Sequence, residues 1–89
     1  MDEYRLKKIR LRAWRRGFKE ADLILGPFAD RYCAAMTGAE LDAFEHLLDQ
    51  PDPDIYDWFL GRAEPPAEVD AGLMARLRAF DPSGSNTGG

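Results

Sequence analysis

The sequence predicts an all-α fold, a compact five-helix bundle with a disordered C-terminal tail. Apolar residues recur at steps of three and four positions along most of the 89-residue chain, which is the spacing of one helix face. Helix-start signals precede two of these segments, and strands and helices do not alternate. We therefore expect one helical domain over residues 1–80, followed by a flexible tail over 81–89 that contains no hydrophobic residue.

The first helix is predicted over residues 3–14. Two apolar stripes at helical spacing run along it: Leu6, Ile9 and Ala13 form one, and Tyr4 and Leu11 the other. Residues 9–13 also alternate between apolar and basic side chains, so this pattern does not exclude a β-strand. Helix is favoured because no second strand-like segment exists to pair with such a strand.

A second helix is predicted within residues 18–36. Its apolar face steps by three or four positions through Phe18, Ala21, Leu25, Phe28 and Tyr32. Gly26 and Pro27 interrupt the segment. Because proline lacks an N–H and clashes with the preceding turn, we expect a kink or a break there.

A capping box marks the start of the third helix. In the stretch TGAE at 37–40, the Thr37 hydroxyl can accept from the Glu40 N–H while the Glu40 carboxylate reaches back. The buried face that follows consists of Leu41, Phe44, Leu47 and Leu48.

The fourth helix is predicted to start with Asp52 as its N-cap and Pro53 at its first helical position. Its apolar face is Ile55, Trp58 and Phe59, and Gly61 should end it.

Pro65 and Pro66 are predicted to open a last helix, with Val69, Leu73, Leu77 and Phe80 on one face. Across the bundle, eight side chains should be buried: Leu25, Phe28, Leu41, Phe44, Leu48, Trp58, Leu73 and Leu77.

The formal net charge of −4 conceals an asymmetry. Residues 1–20 carry eight Lys/Arg and three Asp/Glu, whereas residues 21–89 carry four Lys/Arg and thirteen Asp/Glu. Such a basic arm on an acidic body favours oriented, electrostatically steered docking on another protein. It disfavours nucleic acid as the main partner, because the acidic body would repel phosphate.

The chain is expected to be cytoplasmic, without membrane insertion. No apolar run approaches the roughly 20 residues that cross a bilayer. The N-terminus has no apolar signal segment, and its acids do not suit a mitochondrial targeting segment. A single cysteine cannot form an intramolecular disulfide, which fits a reducing compartment.

No catalytic, metal or cofactor site is predicted. His46 and Cys33 lie in different helices at a spacing that does not suit metal ligation, and the chain has no glycine-rich phosphate loop. We expect a half-buried thiol, a partly exposed histidine, and solvent-facing Asp42 and Asp49. Tyr4 and Trp14 are expected to pack inward rather than to stack on nucleic-acid bases.

The stretch WRRGFKEAD at 14–22 places a glycine between two predicted helices, with charges of both signs around it. Gly17 lets the backbone turn there, or lets another surface approach closely. Glu20 and Asp22 fall in the first turn of the second helix, where acids suit the helix dipole. Judged from the residues alone, a helix junction is favoured over a protein-binding surface, because junctions of this type are common.

The same stretch resembles the hallmark of the small assembly factors that promote covalent FAD attachment to the flavoprotein subunit of succinate dehydrogenase. That hallmark is Arg-Gly-x-x-Glu, usually within RRGxxExD, and it is matched by Arg15, Arg16, Gly17, Glu20 and Asp22. The stretches DLILGPFAD at 22–30 and LLDQPDPDIYDWFLG at 47–61 resemble the family's second and fourth helix regions. The resemblance runs from about residue 9 to residue 80.

The resemblance implies a five-helix factor that is not an enzyme and binds no FAD of its own, because FAD is attached to the partner. It implies that the partner is the flavoprotein subunit of succinate dehydrogenase, with the related subunit of fumarate reductase as a further candidate. The factor would hold that subunit in a conformation in which a histidine of the subunit attacks the flavin. The hallmark residues would then be partner-binding residues. Two other hypotheses are an adaptor or antitoxin-like protein, and a nucleic-acid-binding helical module.

Overall fold

Five α-helices and one short 3-10 turn make up the part of the chain that the structure describes, residues 3–15 and 17–80. In this computed structural model the helices are α1 (Glu3–Trp14), α2 (Lys19–Tyr32), α3 (Gly38–Leu48), α4 (Asp52–Leu60) and α5 (Ala71–Ala79), and the 3-10 turn covers Cys33–Ala35. These ranges contain no strand, so the all-α prediction is confirmed and a strand at 9–13 is wrong. The predicted tail over 81–89 lies outside the described residues.

Helix α2 passes through Gly26 and Pro27 without a break, so of the two predicted outcomes the break is wrong, while the kink stays a prediction. Pro27 has no N–H for the Leu23 carbonyl four residues earlier. Leu23 lies on the exposed face of the helix, where water can supply the missing donor. The cost of the proline is therefore small enough for the packing of the rest of α2 to outweigh it.

The capping box at the start of α3 is confirmed. The Thr37 hydroxyl accepts from the Glu40 N–H at 3.2 Å, and the Glu40 carboxylate accepts from the Thr37 N–H at 2.9 Å. These two bonds satisfy backbone donors that have no partner inside the helix.

The predicted N-cap of α4 is displaced by one residue. Pro51, not Asp52, is the N-cap: its backbone is extended and its carbonyl accepts from the Ile55 N–H at 3.1 Å. Asp52 is the first helical residue, and Pro53 follows it. Both positions still suit their residues, because acids and proline are favoured in a first turn. Gly61 ends the helix in the left-handed region, as predicted, with a φ of 78°.

The predicted start of α5 at Pro65 and Pro66 is wrong. The helix begins at Ala71, where the Asp70 carboxylate caps it by accepting from the Gly72 N–H at 3.1 Å. The two prolines belong to the connection after α4, in which the Pro66 carbonyl accepts from the Val69 N–H at 3.0 Å. An aspartate cap supplies a hydrogen bond that neither proline can offer, so the helix starts there.

The core lies between all five helices, and all eight side chains predicted to be buried are buried. Phe28 is central to it: its ring centroid is 4.9 Å from Tyr32, 5.7 Å from Phe44 and 5.6 Å from Phe80. Cys33, predicted to be half-buried, has no exposed surface. Burial raises the pKa of its thiol from 9.0 to about 11.

Helix α1 is held to the body by a narrow apolar contact and by ion pairs. Only Ile9 and Ala13 of this helix are fully buried. Arg5 contacts Asp42 at 2.5 Å and Glu45 at 2.6 Å on α3. The pKa of the Arg5 guanidinium is raised, first by its bond to Glu45 and then by that to Asp42.

A further ion pair joins Arg12 of α1 to Asp49 at the end of α3, at 2.5 Å. Asp42 and Asp49 were predicted to face water. Both are exposed, but each binds an arginine of α1.

Tyr4 and Trp14 do not pack inward as predicted. Tyr4 is 68% exposed, with the Lys8 ammonium 5.5 Å from its ring centroid. Trp14 is 39% exposed and packs its ring against α2 at Gly26 instead of entering the core. Leu6, Ile9 and Ala13 already occupy the face of α1 that meets the body, so these two aromatic rings are left on other faces. Among the described residues, no helix combines the length and apolarity needed to span a membrane.

Candidate protein-binding site at the α1–α2 junction

The junction between α1 and α2 is a tight turn that depends on Gly17. The Arg15 N–H still donates to the Leu11 carbonyl at 3.0 Å, so the helical bonding of α1 runs one residue past Trp14. Gly17 then takes a φ of 88°, in the region that L side chains rarely adopt. The first of the two interpretations of this glycine, a backbone turn, is therefore confirmed. Arg16 lies outside the described residues.

The outer side of Gly17 is open. A Cβ atom added there would meet no other atom of the described chain within 4 Å. The backbone of the turn is therefore exposed to an approaching molecule, and a side chain here would occupy space that such a molecule would use. Close approach of a partner, the second interpretation, is compatible with this geometry and stays a prediction.

Phe18 attaches the turn to the body of the protein. It is half-buried, and its ring centroid lies 5.7 Å from that of Tyr56 on α4. Its carbonyl accepts from the Asp22 N–H at 2.9 Å, which starts the hydrogen bonding of α2. Sequence periodicity identified Phe18 as a core-facing residue but gave no sign that Tyr56 would be its partner.

The two acids of the hallmark lie in the first turn of α2, as predicted, but in different surroundings. Glu20 is exposed, and its side chain has no hydrogen bond or ion pair within residues 3–15 and 17–80. Asp22 is half-buried and does engage in an interaction. Glu20 is therefore the acid whose carboxylate is available to another molecule.

Of the hallmark residues that the structure describes, Arg15, Gly17 and Glu20 are exposed at one end of the α1–α2 pair. Arg15 also lacks an ion-pair partner among the described residues. The surface can thus offer a guanidinium, an open backbone and a carboxylate to a polar partner surface. Such groups form charge-assisted hydrogen bonds with protein groups of complementary charge.

Next to the junction is an arrangement that sequence reasoning missed. The Trp14 ring lies flat on α2 at Gly26, where an added Cβ would overlap the indole. The indole N–H donates to Asp30 at 3.1 Å, and Arg10 donates to the other oxygen of that carboxylate at 3.0 Å. The only sequence signal was a glycine inside a helix, which often marks a close approach by another element.

The described residues hold no arrangement suited to catalysis or metal binding. No group of three or more His, Cys, Asp or Glu side chains lies close enough there to hold an ion. Cys33 is buried with a raised pKa, whereas His46 is exposed on α3, and the two do not contact each other in a hydrogen bond. A thiol in this state is a poor nucleophile.

Comparison with known proteins finds a family match. Residues 7–81 match the model of a protein family described as the flavinator of succinate dehydrogenase. The match covers all five helices apart from the first turn of α1, and it includes the whole junction from Arg15 to Asp22.

Individual relatives carry names of the same kind. The chain is 46% identical over 72 residues to the FAD assembly factor SdhE of Coxiella burnetii, which covers 81% of this chain and 87% of that protein. It is 34% identical over 73 residues to the FAD assembly factor SdhE of Acetobacter pasteurianus, covering 82% of this chain and 67% of that protein.

A eukaryotic relative is longer. The chain is 40% identical over 68 residues to the mitochondrial succinate dehydrogenase assembly factor 2 of Dictyostelium discoideum, which covers 76% of this chain and 48% of that protein. The chain thus spans about half the length of that relative. These relatives are named as assembly factors rather than as enzymes. Taken with the helical fold, the match over residues 7–81 shows that this chain belongs to the family of succinate dehydrogenase flavinators.

Proposed function

We propose that this protein is an assembly factor that binds the flavoprotein subunit of succinate dehydrogenase and promotes covalent attachment of FAD to it. The family match over nearly the whole described chain is the observation that carries this proposal. The exposed junction at Arg15, Gly17 and Glu20 supplies a surface for such binding. Arg16 and Asp22 complete the proposed partner-binding set.

The proposed mechanism is conformational rather than chemical. A factor that binds one conformation of its partner more tightly than the others increases the population of that conformation. If the bound conformation aligns the reacting groups of the flavoprotein and FAD, the attachment becomes faster because orientation is supplied in advance. The factor itself then needs no nucleophile, metal or tightly bound FAD.

Ion pairing within the chain favours a protein partner over nucleic acid. Three of the five basic residues of α1, Arg5, Arg10 and Arg12, already bind carboxylates on α2, on α3 or at the end of α3. Nucleic acid would have to displace these acids and would face a body with excess negative charge. The nucleic-acid-binding hypothesis is therefore the weaker one.

The proposal extends to a second partner and to a location. The flavoprotein subunit of fumarate reductase is a further proposed partner, and the cytoplasm is the proposed site of action. A pull-down from the native cell, followed by mass spectrometry, distinguishes these partners from the unrelated target of an adaptor or antitoxin-like protein.

Deletion of the gene tests the proposed function directly. In-gel flavin fluorescence of the flavoprotein subunit should decrease in the deletion strain and recover when the wild-type gene is returned. The amount of that subunit, measured by immunoblot, serves as the control. Undiminished flavin fluorescence per subunit in the deletion strain would contradict the proposal.

A further inference from the structure

An open groove runs along the outer side of α1 where it meets α2, next to the junction. It has a volume of about 530 Å³ and is lined by Lys7, Arg10, Leu11, Trp14 and Asp30. Its apolar part comes from Leu11, which is 56% exposed, and from Trp14. Grooves of about 300–1,000 Å³ are large enough to enclose a ligand or a few side chains of a partner. Two large apolar side chains are thus left partly uncovered at one place.

The indole of Trp14 is fixed in position before any partner arrives. One side of the ring rests on Gly26, and its N–H is bound by Asp30. Asp30 is fixed in turn by the Arg10 guanidinium at 3.0 Å. An aromatic side chain that is already immobile loses little conformational entropy on binding, so it is well suited to be an anchor.

The charge of the groove indicates what it would bind. Arg10 compensates Asp30, the acid in its lining. Lys7 is exposed and has no ion pair within the described residues, so one positive charge is left over. Arg15, which is also exposed and unpaired there, adds positive charge at the junction end of α1. Carboxylates are therefore favoured on the molecule that occupies the groove.

We propose that this groove binds an acidic segment of the flavoprotein partner, with a large apolar side chain seated against Leu11 and Trp14 and a carboxylate facing Lys7. The proposal rests on the proposed function and extends the partner-binding surface from the junction onto the outer face of α1. The apolar contact supplies affinity, because it removes exposed surface of Leu11 and Trp14 from water. The carboxylate sets the register of the segment along α1.

Titration of purified apo flavoprotein subunit with variants of the full chain tests the groove. Leu11→Gln and Lys7→Glu should each weaken binding by about 10-fold, the first by removing the apolar contact and the second by repelling the carboxylate. Leu60→Gln is the matched control, because Leu60 is 41% exposed at the end of α4 and does not line the groove. It should bind within about twofold of wild type. All three positions are exposed, so thermal melts should show that the variants fold.

Failure of the groove and failure of the proposed function give different results. If Leu11→Gln and Lys7→Glu bind like wild type while Glu20→Ala binds weakly, the groove proposal is overturned and the proposed function stands. If wild type does not bind the flavoprotein subunit at all, both are overturned. If Leu11→Gln abolishes self-association of the chain in sedimentation but leaves flavoprotein binding unchanged, the groove is a contact between copies and the proposal is again overturned.

Discussion

At the scale of single residues, Gly17 and Glu20 contribute to the junction in different ways. Gly17 is required by the backbone, since its φ of 88° is unfavourable for any L side chain. Glu20 has no such requirement, because its side chain contacts no other group of the described chain through a hydrogen bond or an ion pair. The stability of the fold should therefore depend on Gly17 and be nearly independent of the Glu20 carboxylate.

Substitution of Gly17 should separate backbone strain from partner binding. Gly17→Ala should lower the free energy of unfolding by about 1–2 kcal/mol. The space around the added methyl group is empty, but the backbone of an alanine is strained at this positive φ. Gly61→Ala is the matched control, since Gly61 has a φ of 78° and equally open surroundings. Both variants should melt at similar temperatures, but only Gly17→Ala and, more severely, Gly17→Arg should slow flavin attachment. Equal attachment rates for Gly17→Arg and Gly61→Ala would show that no partner surface comes close to the junction.

Cys33 gives a prediction that concerns the core alone. Its thiol is buried and its pKa is raised to about 11, so at pH 8 iodoacetamide should alkylate the native protein roughly 100-fold more slowly than a free cysteine. The pKa is higher in the folded state than the ordinary 9.0. The thiol therefore contributes stability fully below pH 9, and this contribution is lost as the pH rises towards 11. Denaturant melts of wild type and Cys33→Ala over pH 8–11 should show a steeper decrease for wild type. Parallel decreases would contradict the burial of this thiol.

At the scale of secondary structure, α1 is joined to the body by ion pairs as well as by apolar packing. It buries only Ile9 and Ala13 completely. Arg5 joins it to two acids of α3, and Arg12 joins it to the acid at the C-terminal end of α3. Arg5→Gln should therefore lower the melting temperature more than Arg12→Gln, because Arg5 binds two carboxylates and is the less exposed of the two. Lys7→Gln, at an exposed and unpaired position on the same helix, is the control and should have the smallest effect. At 1 M salt the differences between the three should shrink. The reverse order of melting temperatures would show that these pairs do not hold α1.

The helices and their order could be predicted from the sequence, because periodicity and caps are local signals. Thr37 and Glu40 are three residues apart, so their capping box is visible without the fold. The start of α4 was wrong by one residue because an acid and a proline suit several positions of a first turn. The predicted start of α5 was wrong because Pro65, Pro66 and Asp70 all suit a helix start, and only the Asp70 side chain accepts a hydrogen bond there.

The surface of the candidate site could be predicted only in part. The hallmark from Arg15 to Asp22 is contiguous, so its place at a helix junction followed from the sequence. The position of the Trp14 ring could not be predicted in the same way, because Gly26 and Asp30 on another helix determine that position. The pairing of Arg5 with Asp42 spans 37 residues, and no periodicity rule specifies which charges of two helices will meet.

At the scale of the whole molecule, the charge asymmetry is smaller on the surface than in the sequence. Intramolecular carboxylates compensate Arg5, Arg10 and Arg12, whereas Lys7, Lys8, Arg15 and Lys19 have no ion pair among the described residues. If the basic arm steers docking on an acidic partner, the association rate should fall as salt rises, because exposed charges are screened beyond about 10 Å at 0.1 M ionic strength.

Stopped-flow association with the flavoprotein subunit measures this dependence. Arg15→Gln should slow association at low salt more than Arg12→Gln does, because the Arg12 charge is already compensated by Asp49. A rate that is the same at low and high salt would remove the steering role and leave these arginines as local contacts.

Flavin attachment by the Glu20→Ala variant tests most directly whether the junction is the surface through which this protein acts. Purified wild type, Glu20→Ala and Glu64→Ala, an exposed acid in the connection before α5, would each be incubated with apo flavoprotein subunit and FAD. All three should melt alike, because loss of a first-turn acid costs only about 0.3–1 kcal/mol. Loss of a hydrogen-bonded charge at an interface costs about 2–5 kcal/mol, so Glu20→Ala should attach flavin far more slowly than wild type and Glu64→Ala. If Glu20→Ala melts like wild type and also attaches flavin at the wild-type rate, Glu20 is only a helix-end acid and the junction is not the binding surface proposed for it.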